Sequence, residues 1–336
     1  MFPAYDDALL VESGLVILND EDPKDTKRYD RFRDRVMFPI RNVKGQCIGF
    51  GGRVLGDEKP KYLNSPETPV FSKGRELYGL FEARDALREH GFALVTEGYM
   101  DVVALAQLGF ANAVASLGTA CTPEHVQKLF RFTDSIVFSF DGDEAGQRAA
   151  RKAMLAALPL ATDVRSVKFL FLPPEHDPDS YIRAHGKEAF ARCITEAVPM
   201  SRFLIDVAHE GCALASAEGR ARLASNAKPM WEIMPAGALK QQMLIEIADM
   251  VQLSSQERSN IWFPRQRKGT APKPASSGQT MTESKRSSRS KQRLPIHRTD
   301  HAVRLLLNNL SAIESLSSED QQMLCALDAP QGPLFA

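Results

Sequence analysis

The stretch FALVTEGYMDVVALAQLG at residues 92–109 decides the fold. A short apolar run closes on Glu97, turns through Gly98, and continues as a helical segment, MDVVALAQLG at 100–109, that stops at Gly109. A strand feeding directly into a helix is the opening of a βα unit. The alternation continues. NAVASLG at 112–118 reads as a strand. Thr122 is placed to cap a helix with Pro123 at its first position, and Val126, Leu129 and Phe130 supply its apolar stripe. SIVFSF at 135–140 is a third strand, EAGQRAARKAMLAAL at 144–158 an Ala-rich helix, and VRSVKFLFL at 164–172 a fourth strand. Strands separated by helices of about 10–15 residues imply a parallel sheet with right-handed crossovers.

Upstream, residues 1–20 predict a short helix ending near Gly14. VMFPI at 36–40 and CIGFGGRVL at 47–55 read as paired strands joined by a turn at Gly45. Residues 59–80 contain three prolines and two glycines and read as an ordered loop, and EARDALREH at 82–90 as a helix stopped by Gly91. Downstream, 187–262 is helical in pattern with no convincing strand. Residues 264–293 hold nine basic residues and one acidic, with many Ser and Pro, and read as a disordered linker. AVRLLLNNLSAIESL at 302–316 restores helical periodicity. The fold class is α/β: a mixed α+β N-terminal subdomain, a central parallel-sheet domain and a C-terminal helical subdomain. The boundaries fall at 1–90, 91–186, 187–262, 263–293 and 294–336.

Three acidic signatures follow strands: TEGYMD at 96–101, FDGDEAG at 140–146 and HDPDSYI at 176–182. Their carboxylates are Glu97, Asp101, Asp141, Asp143, Asp177 and Asp179. In open parallel sheets ligands sit beyond the carboxyl ends of the strands, where all three signatures fall. Each has a structural explanation by itself. An acidic residue at a helix N-terminus gains about 0.3–1 kcal/mol from the free amides and the dipole, which accounts for Asp143 and for Asp179 in its Pro-containing turn. Asp141 fits less well, because two carboxylates two residues apart repel unless a cation joins them. Three such signatures on one sheet point to a Mg²⁺-dependent phosphoryl-transfer centre, since Mg²⁺ prefers oxygen ligands and binds one or two carboxylates plus substrate phosphates.

The 336 residues carry no net charge and are 43% hydrophobic, enough for two or three domains with real cores. Charge is local: residues 24–75 hold thirteen Lys or Arg against six Asp or Glu, a net of +7. Arg28, Arg31, Arg33 and Arg35 alternate, as on a solvated face. Arg41, Arg53, Lys61 and Lys73 are spread through Gly- and Pro-containing segments near Tyr62 and Asn64, a mixture suited to phosphates, hydrogen bonds and base stacking. Five cysteines without a CxxC pair argue against a disulfide scaffold or a zinc ribbon. No GxxxxGK[ST] is present, and GFGGR at 49–53 is not GxGxxG, so neither a P-loop nor a dinucleotide site is supported. His176 beside Asp177 reads as structural. The N-terminus has no signal-peptide pattern and no apolar run approaches about 18 residues, so a cytoplasmic location is expected.

The chain resembles the catalytic core of bacterial replicative DNA primases of the DnaG type. The resemblance rests on RFRDRVMFPIRN at 31–42, IGFGGRVLG at 48–56, PKYLNSPET at 60–68, KGRELYGL at 73–80, EGYMDVVALAQLGF at 97–110, ASLGTACT at 115–122, FDGDEAGQRAA at 140–150 and DPDSYIRAHGKEAF at 177–190. It covers about residues 1–262. It implies a TOPRIM fold over roughly 91–172, with Glu97 after the first strand and Asp141 and Asp143 after a later one as catalytic residues. Asp101, Asp177 and Asp179 are further members of the metal site. It places Arg31, Arg33, Arg53, Lys61, Asn64 and Lys73 on motifs that bind template or nucleotide.

The activity implied is synthesis of short RNA primers on single-stranded DNA from ribonucleoside triphosphates with Mg²⁺, or Mn²⁺ in its place. The alternatives are a truncated primase-like DNA-binding protein without autonomous priming, and a TOPRIM nuclease or topoisomerase. The family's zinc belongs to an N-terminal domain whose Cys/His cluster does not occur here. The replicative helicase contact is expected through 294–336, only an opening portion of the family's helical domain. A monomeric core without membrane contact, associated with the replisome, completes the expectation.

Overall fold

The computed structural model describes residues 4–19, 27–57, 59–173 and 175–262. All lie in the first of two units into which the chain divides, Met1–Arg267 and Lys268–Ala336. The expected linker at 263–293 and helicase-contact region at 294–336 lie outside the described residues. Among the described residues, no helix is long and apolar enough to cross a membrane.

The N-terminal part begins with α1 (Ala8–Glu12), capped by the Asp7 carboxylate on the Leu9 N–H at 2.9 Å. Strands β1 (Val16–Asn19) and β2 (Lys27–Asp30) then form an antiparallel pair. Sequence reading missed this pair, because four-residue strands with half-exposed faces carry too little periodicity. A second sheet joins β3 (Arg35–Arg41), β4 (Cys47–Val54) and β5 (Tyr62–Asn64), all antiparallel. The first two are the expected pair. The third lies inside the segment read as a loop, a three-residue strand between Pro60 and Pro66.

After α2 (Arg84–His90), which ends on left-handed Gly91, comes the central sheet. Its strands are β6 (Ala93–Thr96), β7 (Ala113–Ala115), β8 (Ser135–Phe140), β9 (Ser166–Phe171) and β10 (Val198–Pro199). Their spatial order is β10-β9-β8-β6-β7. The first four in sequence are mutually parallel, and β10 pairs antiparallel with β9. This two-residue edge strand is the exception to the purely helical pattern read for 187–262; Pro199 ends it.

Helices α3 (Tyr99–Gln107), α4 (Pro123–Leu129), α5 (Glu144–Ala157), α6 (Pro178–His185) and α7 (Lys187–Glu196) cover the sheet. They are followed by α8 (Met200–His209), α9 (Ala217–Glu232), α10 (Ala238–Met250) and α11 (Ser255–Trp262). Alternate residues of each strand serve the two faces. Ala93, Val95, Ile136, Phe138, Val167 and Phe169 pack with α4, α5 and the α8–α10 helices. Leu94, Val137 and Leu170 pack with α3, α6 and α7. Both faces are therefore covered, which is why these strands read as continuous apolar runs.

A third, smaller core joins the N-terminal sheet to the central one: Ile40, Phe71, Tyr99 and Leu117, with Phe38 and Tyr78 against them. Tyr99 stacks on Phe38 at 5.5 Å between ring centroids and meets Tyr78 edge-on at 5.0 Å. GFGGR acquires its meaning here. A Cβ on Gly51 would lie 2.6 Å from the Tyr99 ring, and one on Gly49 3.2 Å from Phe71. The glycines let strand β4 lie directly on this aromatic core.

Candidate functional site

β6, β8 and β9 are adjacent parallel strands, so the segments after them emerge at one edge of the sheet. Glu97 follows β6, Asp141 and Asp143 follow β8, and Asp177 and Asp179 follow β9 beyond a short loop. Asp101 lies in the first turn of α3.

Four of the six carboxylates serve local structure. Asp101 accepts the Gly98 N–H at 3.0 Å. Asp143 caps α5 on the Gly146 N–H at 2.7 Å. Asp177 caps α6 on the Ser180 N–H at 2.8 Å, and Asp179 pairs with Arg183 at 2.8 Å. Glu97 and Asp141 have no hydrogen-bond or ion-pair partner among the described residues. His176 packs edge-on against Tyr181 and His185.

The carboxylates feel one another. Burial raises the Glu97 carboxyl above its ordinary value, and Asp141, Asp101 and Asp143 raise it further. Asp141 is raised by burial, then by Asp143 and Asp177. Asp101 is pushed up to about 6 by burial, with Asp177, Asp141 and Asp179 adding to it and the Gly98 N–H opposing. The three strand ends thus form one electrostatic unit that disfavours its own charge. Among the described residues, no three His, Cys, Asp or Glu are gathered tightly enough to grip an ion as they stand. The donor set nevertheless fits a hard divalent cation: it is all carboxylate oxygen, and a cation would reverse the repulsion that raises these groups.

The Asp101 shift has a consequence for stability. Its carboxyl binds a proton more readily in the folded chain than in the unfolded one. The stability it contributes is present below pH about 4 and lost as pH rises through about 6. In chelator, the unfolding free energy from guanidinium titrations should fall across that window. Asp101→Asn, which keeps an acceptor for Gly98, should flatten the decline. An equal decline in both proteins would mean that the shift lies elsewhere.

Around the acidic edge, a cavity of about 310 Å³ is lined by Tyr62, Asn64, Glu97, Tyr99, Asp101 and Ser116, among others. Asn64 donates to the Leu117 carbonyl at 3.0 Å, which fixes its amide and leaves its Oδ1 buried without a partner. The Tyr99 hydroxyl and the Nε atoms of Arg31 and Arg53 are also buried and unpartnered. The Arg53 guanidinium lies 6.0 Å from the centre of the Tyr62 ring, and that of Arg33 5.1 Å from the Tyr29 ring. Lys61 is exposed immediately before β5. Lys73 is half-buried, its N–H held by Glu67 at 2.9 Å. Of the six predicted binding residues, Asn64 alone lines the cavity with Glu97 and Asp101. Arg53 reaches it by way of Tyr62. The geometry does not gather Arg31, Arg33, Lys61 and Lys73 into that cavity.

Three contributors escaped sequence reading. Tyr99 lines the cavity and joins the two sheets. His125 holds the backbone of Lys73. Gly146 sits in the first turn of α5, where a Cβ would lie 2.0 Å from the Asp141 carbonyl oxygen. A glycine three residues after an N-cap Asp, inside an otherwise Ala-rich helix, was the available signal, because glycine costs a helix roughly 1 kcal/mol relative to alanine.

Comparison with known proteins matches three family models in order along the chain. Residues 3–84 match the N-terminal domain of the DNA primase catalytic core, 94–182 a Toprim-like domain, and 201–256 the DnaB-helicase binding domain of primase. The last match precedes the region at 294–336 in which a helicase contact was expected. The chain is 51% identical over 252 residues to DNA primase of Neisseria meningitidis serogroup A, covering 75% of this chain and 42% of that protein. It is 50% identical over 248 residues to DNA primase of Pseudomonas aeruginosa, covering 74% and 37%. It thus spans about two fifths of the length of the curated relatives it matches. A crystal structure of a DNA primase domain from Pseudomonas aeruginosa superposes with TM-score 0.71 at 49% identity, covering 75% of this chain and 78% of that one. A DnaG primase catalytic domain bound to ssDNA gives TM-score 0.68 at 48% identity, covering 73% and 75%.

Proposed function

Because the chain belongs to the DnaG-type family of bacterial DNA primases, we propose that it synthesises short RNA primers on single-stranded DNA, joining ribonucleoside triphosphates by Mg²⁺-dependent nucleotidyl transfer. The observation that carries this reading is the placement of carboxylates after three adjacent parallel strands, beside a cavity shared with Asn64 and Tyr62. Within the proposal, 1–90 is a basic α+β subdomain, 91–186 the TOPRIM domain and 187–262 a helical subdomain. The match over 201–256 supports a replicative helicase as partner, and the setting is the cytoplasmic replisome.

Glu97, Asp101, Asp141, Asp143, Asp177 and Asp179 would hold the metal, Mg²⁺ or Mn²⁺. When bound, such ions stabilise charge on the attacking and leaving oxygens of phosphoryl transfer. Glu97 has no protein partner among the described residues, which leaves its carboxylate available either to hold the metal or to accept the proton of the attacking 3′-hydroxyl. Arg31, Arg33 and Arg53 hold phosphates. Lys61, Asn64 and Lys73 contact template or incoming nucleotide, with the Tyr62 face available for stacking.

Labelled ribonucleotides on an unlabelled single-stranded template test the reading. Alkali-labile products that require template and Mg²⁺ support it, whereas scission of the template strand would assign the site to a nuclease. Lys61→Ala should weaken binding to a single-stranded oligonucleotide and reduce the slope of log Kd against log salt by about 0.7. An unchanged slope would mean that Lys61 touches no phosphate.

A further inference from the structure

Segment 72–78 precedes the central sheet in sequence, yet it is fastened to that sheet. Tyr78 and Ala115 of β7 exchange two backbone hydrogen bonds, at 2.9 and 3.0 Å. Three side chains from α4 and its cap hold the rest. The Thr122 hydroxyl donates to the Gly74 carbonyl at 2.7 Å. His125 places Nε2 2.9 Å from the Lys73 carbonyl. Lys128 pairs with Glu76 at 2.7 Å in a half-buried site. The tautomer of His125 follows from its other nitrogen: Nδ1 accepts the Thr122 N–H at 3.2 Å, so Nε2 carries the hydrogen and donates to Lys73. The ring is fully buried. The Lys73 N–H is meanwhile held by Glu67, so both backbone groups of that residue are tied down. Its ammonium has no partner among the described residues.

We infer that His125 is a positioning residue for the DNA template: through the Lys73 carbonyl it aims the Lys73 ammonium at a phosphate of the single strand. Burial obliges both nitrogens of His125 to find partners, and the acceptor that its Nε2–H finds is the backbone of a lysine whose own head is unpaired among the described residues. Long, flexible lysine side chains lose affinity when their origin wanders, and a fixed backbone removes that cost. The inference rests on the reading of Lys73 as a template contact, and the test separates the two.

Full-length chains are titrated with a fluorescein-labelled oligo(dT) strand over roughly a tenfold range of salt. Lys73→Ala should reduce the slope of log Kd against log salt by about 0.7, equivalent to about fivefold less salt sensitivity over that range. His125→Phe should give the same reduction, His125→Gln, which keeps a donor for the Lys73 carbonyl, should restore most of it, and the Lys73→Ala/His125→Phe double variant should lose nothing more. If His125→Phe lowers thermal stability but leaves the slope intact while Lys73→Ala flattens it, His125 is merely structural and the inference is overturned. An intact slope in Lys73→Ala overturns the reading of Lys73 and the inference with it. Should His125→Phe not fold, the smaller His125→Leu, which also removes the bond to the Lys73 carbonyl, decides the matter: a flattened slope supports the inference and an unaltered one overturns it.

Discussion

Asp141→Asn is expected to reduce templated ribonucleotide incorporation by about 10³-fold or more while leaving the folded chain as stable as before, or more stable. In the proposed site the loss follows from removing a charged oxygen donor where negative charge would be moved between phosphates; deleting one such preorganised electrostatic group typically costs about 10²–10³ in kcat. Here the carboxylate also influences its neighbours. Asp141 raises Glu97 and Asp101, so neutralising it unbalances the whole set. The stability half follows from the same coupling. Asp141 has no protein partner, and its own carboxyl is raised by burial, Asp143 and Asp177. In the folded chain its charge is a burden, and the near-isosteric amide relieves it. The check is a primer assay beside a thermal melt in chelator. A melt depressed by several degrees would show that Asp141 holds structure, and full activity would remove it from the site.

Gly146→Ala should be nearly as damaging to activity, by a different route. Its added Cβ would meet the backbone carbonyl of Asp141 at 2.0 Å, and backbone cannot swing aside as a side-chain end does. Either α5 shifts or the Asp141–Asp143 loop does. The helix buries Ala150, Ala153 and Met154 in the main core, so the loop must yield. A displacement of about 1 Å at a reacting centre can cost about 10²-fold, and overpacking of this kind costs about 1–3 kcal/mol. The expected result is activity down about 10²-fold with a melting point lowered by a few degrees. Elsewhere in a helix the same substitution would stabilise. A Gly146→Ala chain with wild-type activity would show that the loop's position does not matter.

What was legible in the sequence follows from how each residue is covered. SIVFSF and FALV announced themselves because parallel strands buried on both faces need apolar side chains at every position. Thr122 and Pro123 announced α4, since a cap and a pre-set φ are local matters. The acidic signatures were visible as a set once they fell after strands β6, β8 and β9, whose adjacency in the sheet brings them to one edge. Strands β1, β2 and β5 were illegible because three or four half-exposed residues carry no usable period. The roles of Gly51 and His125 were illegible for another reason: each is defined by a partner distant in sequence, which leaves no pattern in the chain. GFGGR illustrates this. Read locally it is a failed nucleotide motif; in the fold, Gly51 makes room for Tyr99.

The central claim is that acidic residues from three strand ends act as one metal centre. Mn²⁺ binding followed by electron paramagnetic resonance tests it most directly, using the wild-type chain and Glu97→Gln, Asp141→Asn and Asp177→Asn. Each substitution should weaken the same Mn²⁺ population by about 10–100-fold, and any two together should lose far less than the product of their separate effects. Mn²⁺ binding that survives all three substitutions, or losses that multiply as at independent sites, would contradict a shared centre.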